Sequence, residues 1–410
     1  MTFKKLKGSA VQYAITIAVL IAMLLGALLM LSHVHQLFRL QSQKYTEVIN
    51  AAFDGIKIET VADEEIALYF KNDSIPLTVS KEAWGAFERI TSTAQSYKKR
   101  NRQSALLGGS NEELPTSAYV TNSDKPLTLA GNARLQGDAY VSRSGIVAAT
   151  LNQLAYTGAS LVDGEIKIGR SILPELKRSW LESSLQWLRY SPKKEDSLVR
   201  SAAYHGNSFQ NPTAILYNQN TTIEQDLRGN IAFISSQPIT IKKWAQLHDV
   251  LIVAPQITVE KGFAGNAHFL ASEWILLEED VELAYPSSLI VMDTAKERAN
   301  DISAIHLSKN VSIQGAVVYI NKGQEVNYFT TTSVFLEENV TVMGQVYCEG
   351  NTELLGTVYG SVYTKQFTAT VGSRYNNHLY NGKVLAYDIP DGFCGLLFES
   401  SKKGIAQWLY

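Results

Sequence analysis

Cysteine is scarce in this chain: Cys348 and Cys394 are the only two among 410 residues. Two thiols are too few for a disulfide-rich domain or for a zinc site built on cysteines. We interpret Cys348 as a small apolar strand residue. A bond to Cys394 stays open as an alternative if the region lies outside the cell.

Net charge is also close to zero, at −2 near neutral pH. The chain therefore has no overall field that would draw it to nucleic acid, and we expect no nucleic-acid partner. The apolar fraction of 45% and the charged fraction of 19% are typical of folded rather than disordered proteins.

Motifs for catalysis or cofactor binding are missing. The sequence has no P-loop, no Gly-x-Ser-x-Gly elbow and no dinucleotide fingerprint. The carboxylate pairs Glu278–Glu279 and Glu337–Glu338 occupy one repeat position, which favours solvated corners over an acid–base pair. We predict no catalytic, cofactor-binding or metal site, and hence no enzyme. A carbohydrate-active enzyme remains an alternative, because repeat folds can place acids from distant turns on one face.

One long uncharged run lies near the N-terminus, VQYAITIAVLIAMLLGALLML at residues 11–31. As an α-helix it spans about 31 Å, close to the thickness of a hydrocarbon core. Lys4, Lys5 and Lys7 precede it, so we predict a cytoplasmic N-terminus and an extracytoplasmic body, periplasmic or on the cell surface. A cleaved signal peptide is the alternative, but its apolar region would be shorter. We expect a single-pass anchor that contacts the lipid bilayer through 11–31.

Lys7-Gly8-Ser9-Ala10 stands directly before the apolar run. This combination resembles the N-terminus of type IV pilins and secretion pseudopilins. The resemblance implies cleavage after Gly8 and a helix that serves as the stem of an assembly. The sequence departs from the family at Tyr13, where the usual glutamate at the fifth position after cleavage would fall.

The segment between the anchor and the repeats, residues 33–115, is predicted to be a helical or α+β stalk. Apolar residues at helical spacing predict that the first helix continues to about Phe53. The same spacing, at Trp84, Phe87, Ile90, Ala94 and Tyr97, predicts a second helix over 81–99.

Three polar features of this region have simple interpretations. The basic residues at 98–102 suit the end of a helix rather than a nucleic-acid patch. His33 and His35 lie two residues apart and would point to different sides of a helix, so we do not predict a metal site. The glycine-rich segment 108–115 is predicted to be a linker.

Repeated segments dominate the second half of the chain: LEEDVEL at 277–283, LSKNVSI at 307–313 and LEENVTV at 336–342. Their starting positions give a nearly constant period, and a related unit begins at Asn132. Tandem units of this kind bury their apolar faces against each other. Together with the short strands predicted between 230 and 277, they favour a parallel β-helix, or solenoid, over a sandwich.

Repeat positions have predicted roles. Alternate strand residues share a face, so the apolar residues should point inward: Leu307, Val311, Ile313, Leu336, Val340 and Val342. Glycine and asparagine suit corners with a left-handed backbone, where stacked asparagines can form a ladder: Gly315, Gly344, Gly356, Asn132, Asn310 and Asn339. MGQVY at 343–347 repeats as LGTVY at 355–359, which we interpret as a single face of a coil.

The block from Asn339 to Tyr363, with its recurring Gly-x-Val-Tyr, resembles bactofilins, the polymer-forming cytoskeletal proteins. The resemblance implies a small right-handed β-helix that stacks end to end without nucleotide. A solenoid outside the cell behind a membrane helix would depart from the cytoplasmic members of that family.

The predicted organisation is mainly β. The parts are a cytoplasmic N-terminus (1–9), a transmembrane helix (10–32), the stalk (33–115), a β-solenoid (116–385) with an inserted helix near 172–189, and a C-terminal cap (386–410). Trp180 and Trp187 of the inserted helix are expected to pack on the solenoid, with a sugar platform as the alternative.

The function predicted from this organisation is that of a membrane-anchored structural or scaffold protein of the cell envelope. Self-association or other envelope proteins are the expected partners, and no cofactor is expected. The alternatives are a pilin-like subunit of a secretion or pilus assembly, and a polysaccharide-binding or polysaccharide-active solenoid.

Overall fold

A computed structural model describes residues 8–57, 66–69, 75–96, 99–110, 115–121, 124–191, 193, 197–198, 204–218, 221–293, 303–322 and 331–410. The fold is mainly β, with two helices, α1 (Gly8–Lys57) and α2 (Arg178–Leu188), in these residues. The strands of the first half are β1 (Ile66–Tyr69), β2 (Pro76–Trp84), β3 (Phe87–Ser96), β4 (Lys99–Ser110), β5 (Thr116–Val120), β6 (Leu127–Ala130), β7 (Arg134–Gln136), β8 (Asp138–Val141), β9 (Ile146–Ala148), β10 (Thr150–Leu151), β11 (Leu154–Ala155), β12 (Ile166–Ile168), β13 (Ser197–Leu198) and β14 (Tyr204–Asn207).

The remaining strands follow in chain order, with a short 3-10 helix at Ala386–Asp388. They are β15 (Ala214–Asn218), β16 (Thr222–Ile223), β17 (Asp226–Gly229), β18 (Ile231–Ser235), β19 (Ile239–Ile241), β20 (Gln246–Val259), β21 (Ala264–Leu277), β22 (Glu282–Asp293), β23 (Ile305–Leu307), β24 (Ser312–Asn321), β25 (Val334–Leu336), β26 (Thr341–Leu354), β27 (Thr357–Val371), β28 (Ser373–Asn376), β29 (His378–Tyr380), β30 (Lys383–Leu385), β31 (Cys394–Gly395) and β32 (Lys403–Leu409).

The helix predicted over 81–99 is wrong. Its described residues form the β2–β3 hairpin and the start of β4, while 97–98 lie outside the described residues. Ile90 and Ala94 face α1, whereas Trp84 and Phe87 belong to a core on the other side of the sheet. Because both faces of this sheet are covered, its apolar residues do not alternate simply, and their spacing imitates a helix.

An antiparallel sheet surrounds this hairpin, in the order β1-β2-β3-β4, with β31 and β32 both paired to β4. The predicted 108–115 linker is therefore strand as far as Ser110, and 111–114 lie outside the described residues. The 386–410 segment differs from the expected end cap as well. Its last strand pairs with β4, with Trp408 opposite Ala105, so the C-terminal strand shares one sheet with the strands that follow α1.

The repeats lie side by side in a second, largely parallel system of strands. Leu277 pairs with Leu307, which pairs with Leu336, as the repeat alignment predicts. Ile313 pairs in the same way with Val342. We call the linked strands of this system, β5, β7, β8, β12–β28 and β30, the parallel array.

Spacing between paired strands is shorter in some parts of the array than the repeat suggests. Gly265 pairs with Leu283, and Gly344 pairs with Gly360, so these strand pairs are separated by less chain than two consecutive repeats. The period of the repeats thus includes extra chain between consecutive strands. The alignment of Gly344 with Gly356 is wrong, because the glycine that pairs with Gly344 on the next strand is Gly360.

The N-terminal part of the array sits at its far end. Strand β27 pairs with β5, β5 with β8, and β8 with β12, all in parallel. The unit near Asn132 therefore continues the array beyond the last repeat, where β7 pairs with β30.

The interior of the array is apolar, and all six predicted inward residues are fully buried. At the turns, Asn310 and Asn339 adopt positive φ as predicted, whereas Asn132 does not and Gly131 takes that role. The amide of Asn339 donates to the Oδ1 of Asn310 at 3.3 Å, and that of Asn310 to Asp280 at 3.0 Å, so the predicted ladder holds for Asn310 and Asn339 and not for Asn132.

Candidate functional site

The first part of helix α1 exposes its side chains to solvent. Between Val11 and Tyr45 its large apolar side chains are exposed, with Phe38 at 70% and Leu29 at 73%. Of the described helices, α1 alone is long and apolar enough to cross a membrane. Exposed apolar surface of this length is unfavourably solvated by water and is suited to contact with lipid or with other helices.

The last turns of α1 are packed against the antiparallel sheet. Val48, Ala52 and Ile56 are buried in a core that includes Leu77 and Ile90 of the sheet. At the edge, the rings of Phe53 and Trp408 meet edge to face at 5.2 Å. The helix is thus fixed to the body at one end only.

The other face of the sheet rests on the parallel array through the β2–β3 turn. Trp84 donates its indole N–H to the carbonyl of Asp249 at 3.0 Å. Trp180 and Trp187 of α2 donate theirs to the carbonyls of Gly85 and Ala83, each at 2.9 Å. The two tryptophans therefore lie in the packed junction, as expected, and their polar atoms are occupied.

A buried ion cluster closes the same junction. Glu88 of β3 accepts from Lys177, just before α2, at 3.0 Å and from Lys403 of β32 at 2.7 Å. Burial tends to raise the pKa of Glu88, but the hydrogen bonds and charges of the two lysines outweigh it, so the pKa is lowered. One carboxylate therefore ties the hairpin, the inserted helix and the C-terminal strand together.

His268 lies beneath the hairpin turn and is fully buried. Its Nδ1 is 2.9 Å from the hydroxyl of Ser288, which accepts from the backbone N–H of Ala86 at 3.0 Å. Burial lowers the pKa of His268 to about 3, so the ring is neutral near pH 7. We assign it a packing role.

The repeated carboxylates lie at corners of the parallel array, as predicted. Glu338 pairs with Lys309 at 3.1 Å, and Glu279 pairs with Lys261 at 2.6 Å. Glu337 lies 2.7 Å from His306. The contacts run from one corner of the array to the next, so these residues support the stacking of neighbouring segments and do not converge on a common point.

The described residues contain no cluster of three or more metal-ligating side chains. Cys348 and Cys394 are both buried free thiols. Cys348 lies in the core opposite Tyr319, where burial raises its pKa to about 12 and keeps it protonated. The site with the clearest functional geometry is therefore α1 with the sheet that holds it, which the apolar run predicted in part.

The chain matches no protein-family model. No curated protein matches it significantly. Among solved structures, one match is the crystal structure of the competence-associated pilin ComZ from Thermus thermophilus, at 10% identity, covering 85% of this chain and 86% of that chain. The TM-score is 0.23, so this similarity carries no argument about fold or function.

Proposed function

We propose that the chain is a membrane-anchored structural subunit of the cell envelope that assembles through its N-terminal helix, in the manner of a pilin-like protein. The proposal combines the predicted anchor with the pilin-like resemblance around Gly8. In this proposal the antiparallel sheet holds the C-terminal end of α1. The parallel array is the body that α1 attaches to the membrane.

The division of α1 into two parts carries this proposal. Its last turns are packed from Val48 onward, while every residue of the preceding part of the helix, 10–47, is exposed. About 20 residues suffice to cross the bilayer. The rest of the bare helix extends beyond that length, which suits contact with the helices of other subunits as well as with lipid.

We further propose that the parallel array is a β-solenoid on the extracytoplasmic side. Parallel strands paired at short sequence intervals, inward apolar positions and an asparagine ladder all support stacked coils. The lysines before the apolar run support the orientation. The absence of enzymatic activity, the bactofilin-like filament and the polysaccharide-binding alternative all stay predictions.

N-terminal processing tests the proposal. Purified from the membranes of its native host, the mature chain should lack residues 1–8 by intact mass. Gly8→Val should abolish this loss, since it changes the glycine after which the family is cleaved. Gly26→Val is the matched control in the same helix, where nothing lies within 4 Å of an added Cβ. It should leave processing unchanged.

A wild-type chain that keeps Met1 and all following residues would contradict the pilin-like assignment. A chain that remains soluble after membranes are removed would contradict the anchor itself. The two results separate the assembly proposal from the broader one of a membrane-anchored envelope protein.

A further inference from the structure

In the described part of the chain, β12 is the last strand at one end of the parallel array. Among the described residues it pairs with β8 alone, with Ile166 beside Ala139 and Ile168 beside Val141. Ala139 and Val141 are core residues at 0% and 1% exposure. Ile166 and Ile168 face the same interior, yet they are 51% and 65% exposed. Two apolar side chains that continue the interior are thus exposed to solvent at this end.

The backbone of β12 is open as well. The Glu165 carbonyl accepts from the N–H of Ala139, and the Gly169 N–H donates to the carbonyl of Val141, both at 2.8 Å. In a parallel pair, alternate residues bond to the same neighbour. The N–H and C=O groups of Ile166 and Ile168 therefore face away from β8, and a free edge of this kind is a template for another strand.

We propose that a second copy of this chain pairs with this edge, β12 against β12, antiparallel and centred on Lys167. Ile166 of each copy then lies opposite Ile168 of the other, and each of these two pairs exchanges two hydrogen bonds. All four isoleucine side chains fall on one face, so the two apolar interiors become continuous. The contact is two-fold symmetric and closes as a dimer.

Charge along the strand fits its own reversed copy. Acidic Asp163 and Glu165 precede Ile166, and Arg170 follows Ile168. In the antiparallel register, Arg170 of one copy lies opposite Gly164 of the other, between these two carboxylates. The Glu165 side chain is 75% exposed, lies 3.4 Å from Lys167 of its own copy, and can turn from there to Arg170 of the other. Lys167 at the centre is paired with Asp138 of its own copy at 2.5 Å, which reduces repulsion between the two lysines.

A cysteine at the symmetry centre tests the contact. Opposed residues at the non-hydrogen-bonded position have Cα atoms about 4.5 Å apart, within the range of a disulfide. Lys167→Cys, in the full chain in detergent under mild oxidation, should give a disulfide-linked dimer on a non-reducing gel. Lys383→Cys is the matched control, an exposed lysine on an inner strand of the array, and should remain monomeric like the parent chain.

Further changes in the Lys167→Cys chain decide whether the register is right. Ile168→Asp, at a side chain already largely exposed, should reduce the dimer about tenfold, equivalent to about 1.4 kcal/mol. Glu165→Arg or Arg170→Glu alone should weaken it, and the two together should restore it. No dimer from Lys167→Cys, or a dimer insensitive to all of these changes, would overturn the proposal. Because the bond reports contact at β12, its outcome is independent of association through α1.

Discussion

Val340 lies in the apolar interior of the parallel array, at 0% exposure, while the nearby Glu337 and Glu338 lie at a corner where they contact His306 and Lys309. Only one face of these strands meets the interior, so the two environments alternate over a few residues. A change of charge should therefore have a large effect on stability at Val340 and a small one at Glu337 and Glu338.

A charge at Val340 should unfold the body. Val340→Asp buries a carboxylate without a partner, which should abolish the cooperative unfolding transition followed by circular dichroism. The double change Glu337→Gln, Glu338→Gln alters only corner contacts and should leave the transition in place. A folded Val340→Asp protein would show that the inward assignment is wrong.

Gly344 lies where the adjacent strand leaves no space for a side chain. It has φ of +145°, and an added Cβ would overlap the carbonyl oxygen of Gly315 on the adjacent strand. The alternation of the repeat was sufficient to predict the burial of Val340. At Gly344 the sequence predicts only a tight corner. The close approach of Gly344 to Gly315 involves two strands and cannot be predicted from the sequence of one of them.

Gly344→Ala should lower the free energy of unfolding by about 2 kcal/mol or more, because backbone strain and overlap add. Gly262→Ala is the control: it has φ of +75° with open space around it, so it should cost only the strain. Urea titration of both variants measures the difference. Equal losses would mean that the overlap is relieved without cost.

At the scale of elements, segments with a strong apolar period are predictable from the sequence. A segment packed on both faces is not. The uncharged run predicts the first part of the long helix, and helical spacing predicts its continuation and α2, which lies within the predicted 172–189 range. The β2–β3 hairpin was missed because α1 covers one of its faces and the array covers the other. The contact of Glu88 with Lys177 and Lys403 was beyond sequence reasoning, since its partners lie 89 and 315 residues away.

Glu88→Gln should loosen the junction of these three elements. Removing the carboxylate breaks its contacts with both lysines, which are only 16% and 15% exposed, at a cost of about 2–4 kcal/mol. Glu182→Gln, in an exposed pair with Arg178 at 2.9 Å, is the matched control and should change stability little. Thermal unfolding at pH 7 compares the two.

Stability should also depend on pH through Glu88. Its pKa is lower in the folded chain than the ordinary value of about 4.3, so its contribution is present above that value. The contribution is lost as pH falls through the folded pKa. Glu88→Gln should therefore flatten this acid limb of the stability curve, and an unchanged limb would mean that other carboxylates dominate it.

At the scale of the whole molecule, the repeat predicted neighbouring strands but not their order. Local similarity between the unit near Asn132 and later repeats indicated one array. It contained no information that β5 pairs with β27, because contacts between distant segments are not encoded in either segment alone. The pairing of the C-terminal strand with β4 was hidden for the same reason.

Removal of residues 403–410 should destabilise the packing of α1 on the antiparallel sheet, although these residues lie far from α1 in sequence. The truncation removes Trp408 from Phe53 and Lys403 from Glu88. We expect rapid proteolysis within the antiparallel sheet, detected by mass spectrometry of the fragments. Tyr410→Ala, at a side chain that is 78% exposed, should leave the fragment pattern unchanged.

The closure of both sheets by distant segments has a consequence for biogenesis. Ala118 can pair with Val362, and Leu106 with Gln407, only after the later residue of each pair has been synthesised. Chain entropy opposes such late joining, which makes maturation slow. A nascent chain emerges N-terminus first, so its unpaired strand edges stay exposed until translation ends. We therefore expect the yield of folded protein to depend strongly on a holdase chaperone at the membrane.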